Sequence, residues 1–449
     1  MMRPLPSFEV LRYWVPTIKL AAPIFLSLIG IQAMEIIDAV MIGRLGVKPL
    51  AAGAFSNGIV SIFMIIGTGF STAVSTLVAR TRGKGSFREF SNIIATSLWI
   101  TMLVGLVLTF CLEFIRNHLH MFGQDPEVAR LAPGYFLMIE CSLILQMLFQ
   151  MYKQFTDGMG NSAEGSVALL LSLFLNAFFN WIFIYGNLGF PVLGLLGAGL
   201  GTLLSRVFLL LGYLSFLRFK PAYRSIEFFA MPRAPFKKYA GLILSIGIPA
   251  SLQYLFEAGV FSMATIMAGW IDAITLASHQ ILLKVSSACF MLPLSLSFAA
   301  SIQVGKEVGE NNVQQAKKMG FAVLVLTLLM MSMVGVGLWY YRFEIPYAFV
   351  DVREVLELSA SLLFIAALFQ IFDGTQAVAI GILRGYLDTK VPVLFTFISY
   401  WVISFPAAYF LAFVFEAGLK GLWYGLMLGL ISSSVLLNIR FYRLSRSIG

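Results

Sequence analysis

Hydrophobic residues run through this chain in long unbroken stretches, and short polar clusters separate one stretch from the next. Twelve spans are placed near residues 16–42, 50–79, 92–114, 131–155, 165–187, 194–217, 242–268, 275–304, 319–341, 356–382, 391–414 and 418–439. Each meets or exceeds the ~20 residues that a helix needs to cross the hydrocarbon core of a bilayer. Strands of a membrane barrel would instead alternate apolar and polar positions over about ten residues. The expected fold is therefore all-α and membrane-spanning.

The longest polar connection, 218–241, carries Pro221, Pro232 and Pro235 and divides the spans six and six. At a shift of 226 residues the second half matches the first without a gap. Pro23 falls on Pro249, Gly43 on Gly269, Leu50-Ala51 on Leu276-Ala277, Ser75 on Ser301 and Val78 on Val304. At a shift of 224, Gly194, Gly197 and Gly201 fall on Gly418, Gly421 and Gly425. Such a match reads as an internal duplication. The expected domains are an N-terminal six-helix lobe over 1–217, a cytoplasmic linker over 218–241 and a C-terminal six-helix lobe over 242–449. An even number of crossings starts both lobes on the same side, which relates them by a pseudo-two-fold axis along the membrane normal. Several transporters of this kind hold their site between the repeats. Pro23 and Pro249, inside the first helix of each lobe, are expected to kink it.

Composition agrees with the pattern. Of 449 residues, 59% are hydrophobic and 12% charged, against about a quarter charged in soluble domains. With the N-terminus inside, 22 Lys and Arg lie on the inner side and 7 on the outer, Arg206 and Lys284 being left within spans. That asymmetry puts both termini in the cytoplasm. It also accounts for the net charge of +9 without a nucleic-acid partner. Cys111, Cys141 and Cys289 form no CxxC pair, so neither a disulfide framework nor a zinc site is indicated. Lys19, Glu35 and Asp38 interrupt the first apolar run, which reads as a retained helix and not a cleaved secretion signal.

Ionisable side chains within a bilayer cost roughly 2.5–3.5 kcal/mol on insertion scales and mark ion or proton pathways. Asp373 sits in the middle of the tenth span, with Gln370 and Gln376 three residues to either side on its face. Glu257 is central in the seventh span, one turn beyond Gln253 and Tyr254. In the first span Glu35 and Asp38 are three residues apart, and two close carboxylates do not easily ionise together. Asn176 and Asn180 lie one turn apart in the fifth span, as site residues or as glue between helices. Lys284, half-way along the eighth span, either snorkels to an interface or holds Glu257 and Asp373 ionised. Glu140 in the fourth span has no assignable partner, and His279 reads as a hydrogen-bonding residue of its helix end. His118 and His120 lack a third metal ligand. Buried acids of this kind suit proton exchange. A bound Na⁺ would need several oxygens, for which Glu257, Asp373, Gln370 and Gln376 are the candidates. No nucleophile–base or metal constellation points to an enzyme.

These residues together resemble the multidrug and toxic compound extrusion (MATE) family, and most of all its NorM-like branch, from about Leu20 to Val435. The resemblance is carried by Ala22-Pro23 with Asp38, Asn176 and Asn180, and Pro249 with Glu257. Ala277-Ser278-His279-Gln280 with Phe290-Met291-Leu292-Pro293-Leu294-Ser295, and Asp373 with Leu383-Arg384-Gly385, complete it. It implies two six-helix lobes forming a V that opens alternately to each side of the cell inner membrane. It further implies a monomeric secondary active transporter, an antiporter without a cofactor. Cationic or zwitterionic aromatic drugs or toxic metabolites would leave in exchange for inward H⁺ or Na⁺. Asp38, Glu257 and Asp373 would carry the coupling. Glu35, Asn176, Asn180, Gln253, Tyr254, Lys284, Gln370 and Gln376 would support them. The chain departs from the family pattern at Glu35, an additional acid, at Phe369, where some Na⁺-coupled members have tyrosine, and at Lys284, where asparagine is common. The last two favour H⁺ over Na⁺. The alternative, a flippase for lipid-linked precursors, would favour a cleft lined by Arg and Lys, whereas acids dominate the polar inventory of these spans.

Overall fold

The computed structural model describes residues 7–86, 88–224, 226, 228 and 236–447. Twelve helices long and apolar enough to cross a membrane run through them. They are α1 (Ser7–Gly43), α2 (Val47–Gly83), α3 (Arg88–Asn117), α4 (Pro126–Gly158), α5 (Ser162–Tyr185) and α6 (Leu195–Phe219). After them come α7 (Phe236–Ile271), α8 (Ala273–Gly309), α9 (Val313–Tyr340), α10 (Arg353–Gly385), α11 (Lys390–Val414) and α12 (Gly418–Ser447). A helix satisfies its own backbone, which is what a lipid environment demands. Most of these helices outrun the apolar spans, because the turns continue through charged residues such as Arg80 and Arg82 at the end of α2. The ends are set by local chemistry. Asp125 accepts the Glu127 N–H at 2.8 Å ahead of α4, and Asp272 accepts the Thr275 N–H at 2.6 Å ahead of α8. Gly46, between α1 and α2, has φ 119°, which a side chain would not tolerate.

The eleventh span is less regular than its hydrophobic pattern suggests. α11 is π-helical over Ile398–Ser404 and again over Phe410–Val414. Pro406, between the two, has no N–H to donate. α12 also presses against it: a methyl group on Gly429 would come within 3.0 Å of the Ser399 carbonyl oxygen. π turns are frequent at functional sites, and Tyr400 lies in the first of these.

Contacts divide the chain into two units. One takes in 26–251, the other the chain up to Phe25 together with 252–449. The division falls within α1 and α7, two residues past Pro23 and Pro249, at positions related by the same 226-residue shift as the prolines. It therefore differs from the expected boundary at 218–241, a stretch in which residues 225, 227 and 229–235 lie outside the described residues. Pro23 and Pro249, which lie just before the division in each helix, have no backbone N–H to donate there.

Within 26–251, α4 packs on α2, α3 and α6, around Tyr135, Phe136, Ile139, Leu143 and Met147. Within the second unit, α10 packs on α8, α9 and α12, and Phe369, Tyr400 and Trp423 fill the centre. The duplication survives in detail. A methyl group on Gly158 of α4 would lie 2.7 Å from the Ser75 carbonyl oxygen and 2.9 Å from Val78 Cβ. One on Gly385 of α10 would lie 3.0 Å from the Ser301 carbonyl oxygen and 2.9 Å from Val304 Cβ.

Candidate functional site

The unit 26–251 holds a cavity of about 310 Å³ whose wall carries both polar and apolar side chains. From α1, Ile31, Met34, Glu35 and Asp38 face it, at the spacing of one helical stripe. Asp38 is 9% exposed and Glu35 exposed. The Asn180 side-chain amide donates to Asp38 Oδ1 at 2.6 Å and lies 3.4 Å from Asn176 Oδ1. Asn176 in turn donates to Thr202 Oγ1 at 3.3 Å. Asn180 can come this near α6 because residue 201 is glycine; a side chain there would collide with the amide oxygen. The two asparagines thus bridge helices, and Asn180 also holds the acid.

Tyr135, Asn57 and Arg206, further polar residues of the cavity, were not among the expected site residues. Tyr135 donates to Asn57 Oδ1 at 3.2 Å, and neither residue carries a charge that would have marked it. Arg206, one of two basic residues left inside spans, follows Thr202 by one turn and donates through Nη1 to Ser142 Oγ at 2.5 Å. Its charge acts on Asp38, Tyr135 and Glu35. The signal for Arg206 was present in the sequence: it is a cation inside a span with no interfacial end nearby.

The second unit holds a different arrangement. Asp373 of α10 is 4% exposed, and Glu257 of α7 is half-buried. The charge of Glu257 acts on Asp373, and both act on the Tyr400 hydroxyl. Gln376 faces that hydroxyl, with Nε2 at 2.6 Å and Oε1 at 3.0 Å. Gln370 donates to the Ser286 carbonyl oxygen at 3.4 Å. Among the described residues, Asp373 Oδ1 and Gln370 Oε1, one turn apart, are buried without a donor, and the Gln253 amide nitrogen is buried without an acceptor. Tyr254 is in hydrogen-bonding reach of the buried Arg384 and in electrostatic reach of Glu257. The acids of the two units are not repeats of each other, since Ala264 stands at the position matching Asp38 and Ile31 at that matching Glu257.

Among the described residues Lys284 forms no ion pair with Glu257 or Asp373; it is exposed on α8 beside Gln280, Phe349 and Val350. Glu140 has a partner after all: Arg116 Nε lies 3.8 Å from its carboxylate, and Arg116 also grips Glu113 at 2.6 and 2.8 Å. Lys153, counted with the inner basic residues, is buried in α4 and bonded to Asp157 at 2.8 Å. His279 is buried between the Trp423 indole N–H at 3.2 Å and the Thr265 hydroxyl at 3.3 Å, a packing role. Among the described residues no group of three His, Cys, Asp or Glu could hold a metal ion.

Comparison with known proteins gives consistent matches. The MatE family model matches residues 23–182 and 249–410. A protein of Mesorhizobium japonicum named "Probable multidrug resistance protein NorM" is 32% identical over 438 residues, covering 96% of this chain and 94% of that one. The "Multidrug resistance protein NorM" of Aliivibrio fischeri is 28% identical over 437 residues, covering 96% and 95%. Among solved structures, a MATE protein in a bent conformation matches with TM-score 0.90 at 18% identity, over 99% of both chains. A multidrug resistance MATE family transporter in an outward-facing conformation matches with TM-score 0.88 at 19% identity, over 100% and 99%. At these identities the structural matches speak for the fold alone.

Proposed function

Because the chain belongs to the MATE family, we propose that it is a multidrug efflux antiporter that exports cationic and zwitterionic aromatic compounds by alternating access, in exchange for protons. The observation that carries the reading is Asp38, a buried carboxylate held by the neutral Asn180 amide at 2.6 Å on the wall of a cavity. A proton and a cationic cargo compete for that one negative charge. A ligand shifts a conformational equilibrium only by its differential affinity for the two states, and this competition supplies such a difference. Protonation of Asp38, or of the Glu257–Asp373 pair, favours release of cargo outside, and deprotonation restores affinity inside. Inward proton movement contributes about 2.3 kcal/mol per charge per 100 mV of membrane potential. The names of the relatives support drug export over lipid-precursor flipping. On the same reading the protein is a monomer in the cell inner membrane with both termini cytoplasmic.

Phe369, buried with its ring edge-on to Phe261 and tilted against Trp423, offers no oxygen beside Asp373, which supports H⁺ over Na⁺ in this unit. The test is ethidium transport in everted vesicles with a pH gradient alone and then a Na⁺ gradient alone. The reading expects drug movement in the first and little in the second; transport indifferent to both gradients sinks it.

A further inference from the structure

We infer that Arg206 reads the anionic group of the cargo, so that the cavity in 26–251 selects zwitterions in which a cation and a carboxylate sit at opposite ends of one aromatic molecule. The inference rests on the transport reading above and deepens it. The cavity is bipolar. Glu35 and Asp38 line it from α1, and Arg206 lines it from α6. Among the described residues Arg206 makes one hydrogen bond, from Nη1 to Ser142 Oγ at 2.5 Å. That bond engages Nη1, and Nε and Nη2 make no hydrogen bond among the described residues. The charge of Arg206 acts on Asp38, yet the two form no ion pair among the described residues. Asp38 takes its hydrogen bond from Asn180 instead.

An arginine retained to neutralise Asp38 would meet it directly, because a guanidinium and a carboxylate form two parallel hydrogen bonds when they touch. Here the two charges are held apart by separate neutral partners, Ser142 and Asn180, each on another helix. Each charge therefore keeps part of its hydrogen-bonding capacity for a molecule between them. A volume of about 310 Å³ is at the lower end of small-molecule pockets. Met34 and Met64 on its walls adapt to flat rings.

The experiment measures binding to purified full-length protein and transport in proteoliposomes. Three probes are used: norfloxacin, which carries a piperazinium and a carboxylate; its methyl ester, which keeps only the cation; and ethidium, a permanent cation. Wild type should bind norfloxacin roughly tenfold more tightly than the ester, a difference of ~1.4 kcal/mol. Arg206→Gln should erase that difference, with ester and ethidium binding kept or strengthened because a positive charge near Asp38 is removed, and Arg206→Lys should restore part of the acid-over-ester preference. Equal wild-type affinity for acid and ester, which needs no variant, overturns the inference. So does a uniform loss of all three probes in a folded Arg206→Gln protein. If wild type shows the acid-over-ester preference in binding but moves no probe, the transport reading fails and the assignment of Arg206 stands.

Discussion

Asn180 donates to Asp38 across 2.6 Å, from the last third of α5 to α1, and its own amide oxygen is buried without a donor among the described residues. The bond costs the acid nothing in charge, since an amide is neutral, and so Asp38 remains available to a proton or a cation. Asn180→Leu removes the donor at similar volume. Hydrogen bonds to charged groups contribute about 1.5–3 kcal/mol. Cation affinity measured by fluorescence titration is therefore expected to change roughly tenfold or more, with the protein still monodisperse in detergent. An unchanged affinity would mean that the bond is packing alone.

Gly201 offers a way to disturb the same contact without removing any polar group. Gly201→Ala places a methyl group against the Asn180 amide oxygen and backbone, so it should displace Asn180 and lower both drug affinity and the unfolding temperature. Gly212, on the same helix, has open space around it, and Gly212→Ala should be neutral or slightly stabilising. Thermal unfolding of the two variants side by side checks the contrast.

Lys153 and Asp157 form a buried pair at 2.8 Å with side chains 5% and 2% exposed. Removing one partner of such a pair costs about 3–5 kcal/mol, whereas replacing both by apolar residues is often far milder. Lys153→Met and Asp157→Leu are each expected to lower the unfolding temperature sharply, and the double variant to recover most of the loss. Additive losses in the double variant would show that the two residues are stabilised by something other than each other.

Tyr400 couples the π-helical turn of α11 to Gln376 of α10, and its hydroxyl stands in the field of Glu257 and Asp373. Tyr400→Phe leaves the Gln376 amide buried without that partner, a penalty of about 1–3 kcal/mol. The expected result is a folded protein whose proton-driven drug transport falls several-fold while ethidium binding to the other unit is retained. Loss of both together would place Tyr400 in the general packing of the bundle.

Much of the fold was legible in the residues. Twelve apolar runs are twelve helices, and the pairs Ser75/Ser301 and Val78/Val304, read as a duplication, do meet equivalent glycines in the two units. The spacing of Asn176 and Asn180 put both amides on one face, and they do reach across to α1 and α6. What stayed hidden depends on neighbours that one helix cannot reveal. Glu140 needed Arg116 from α3, and Lys153 needed the enclosure around Asp157. Lys284 looked central by its count of residues from the helix end, but exposure depends on which neighbours cover that face of α8, and Lys284 is exposed. The π turns of α11 leave no mark in a hydrophobic pattern, because they change the partner of each N–H and not the identity of any residue.

The account stands most directly on Asp38. In proteoliposomes carrying wild type or Asp38→Asn, with an imposed pH gradient as the only driving force, norfloxacin efflux is followed by fluorescence. Asn keeps the shape and the hydrogen-bonding reach of Asp while removing its titration, so the account expects the variant to be folded and to lose gradient-driven efflux by at least about tenfold. Efflux by the variant at the wild-type rate, with the same dependence on the gradient, would contradict it.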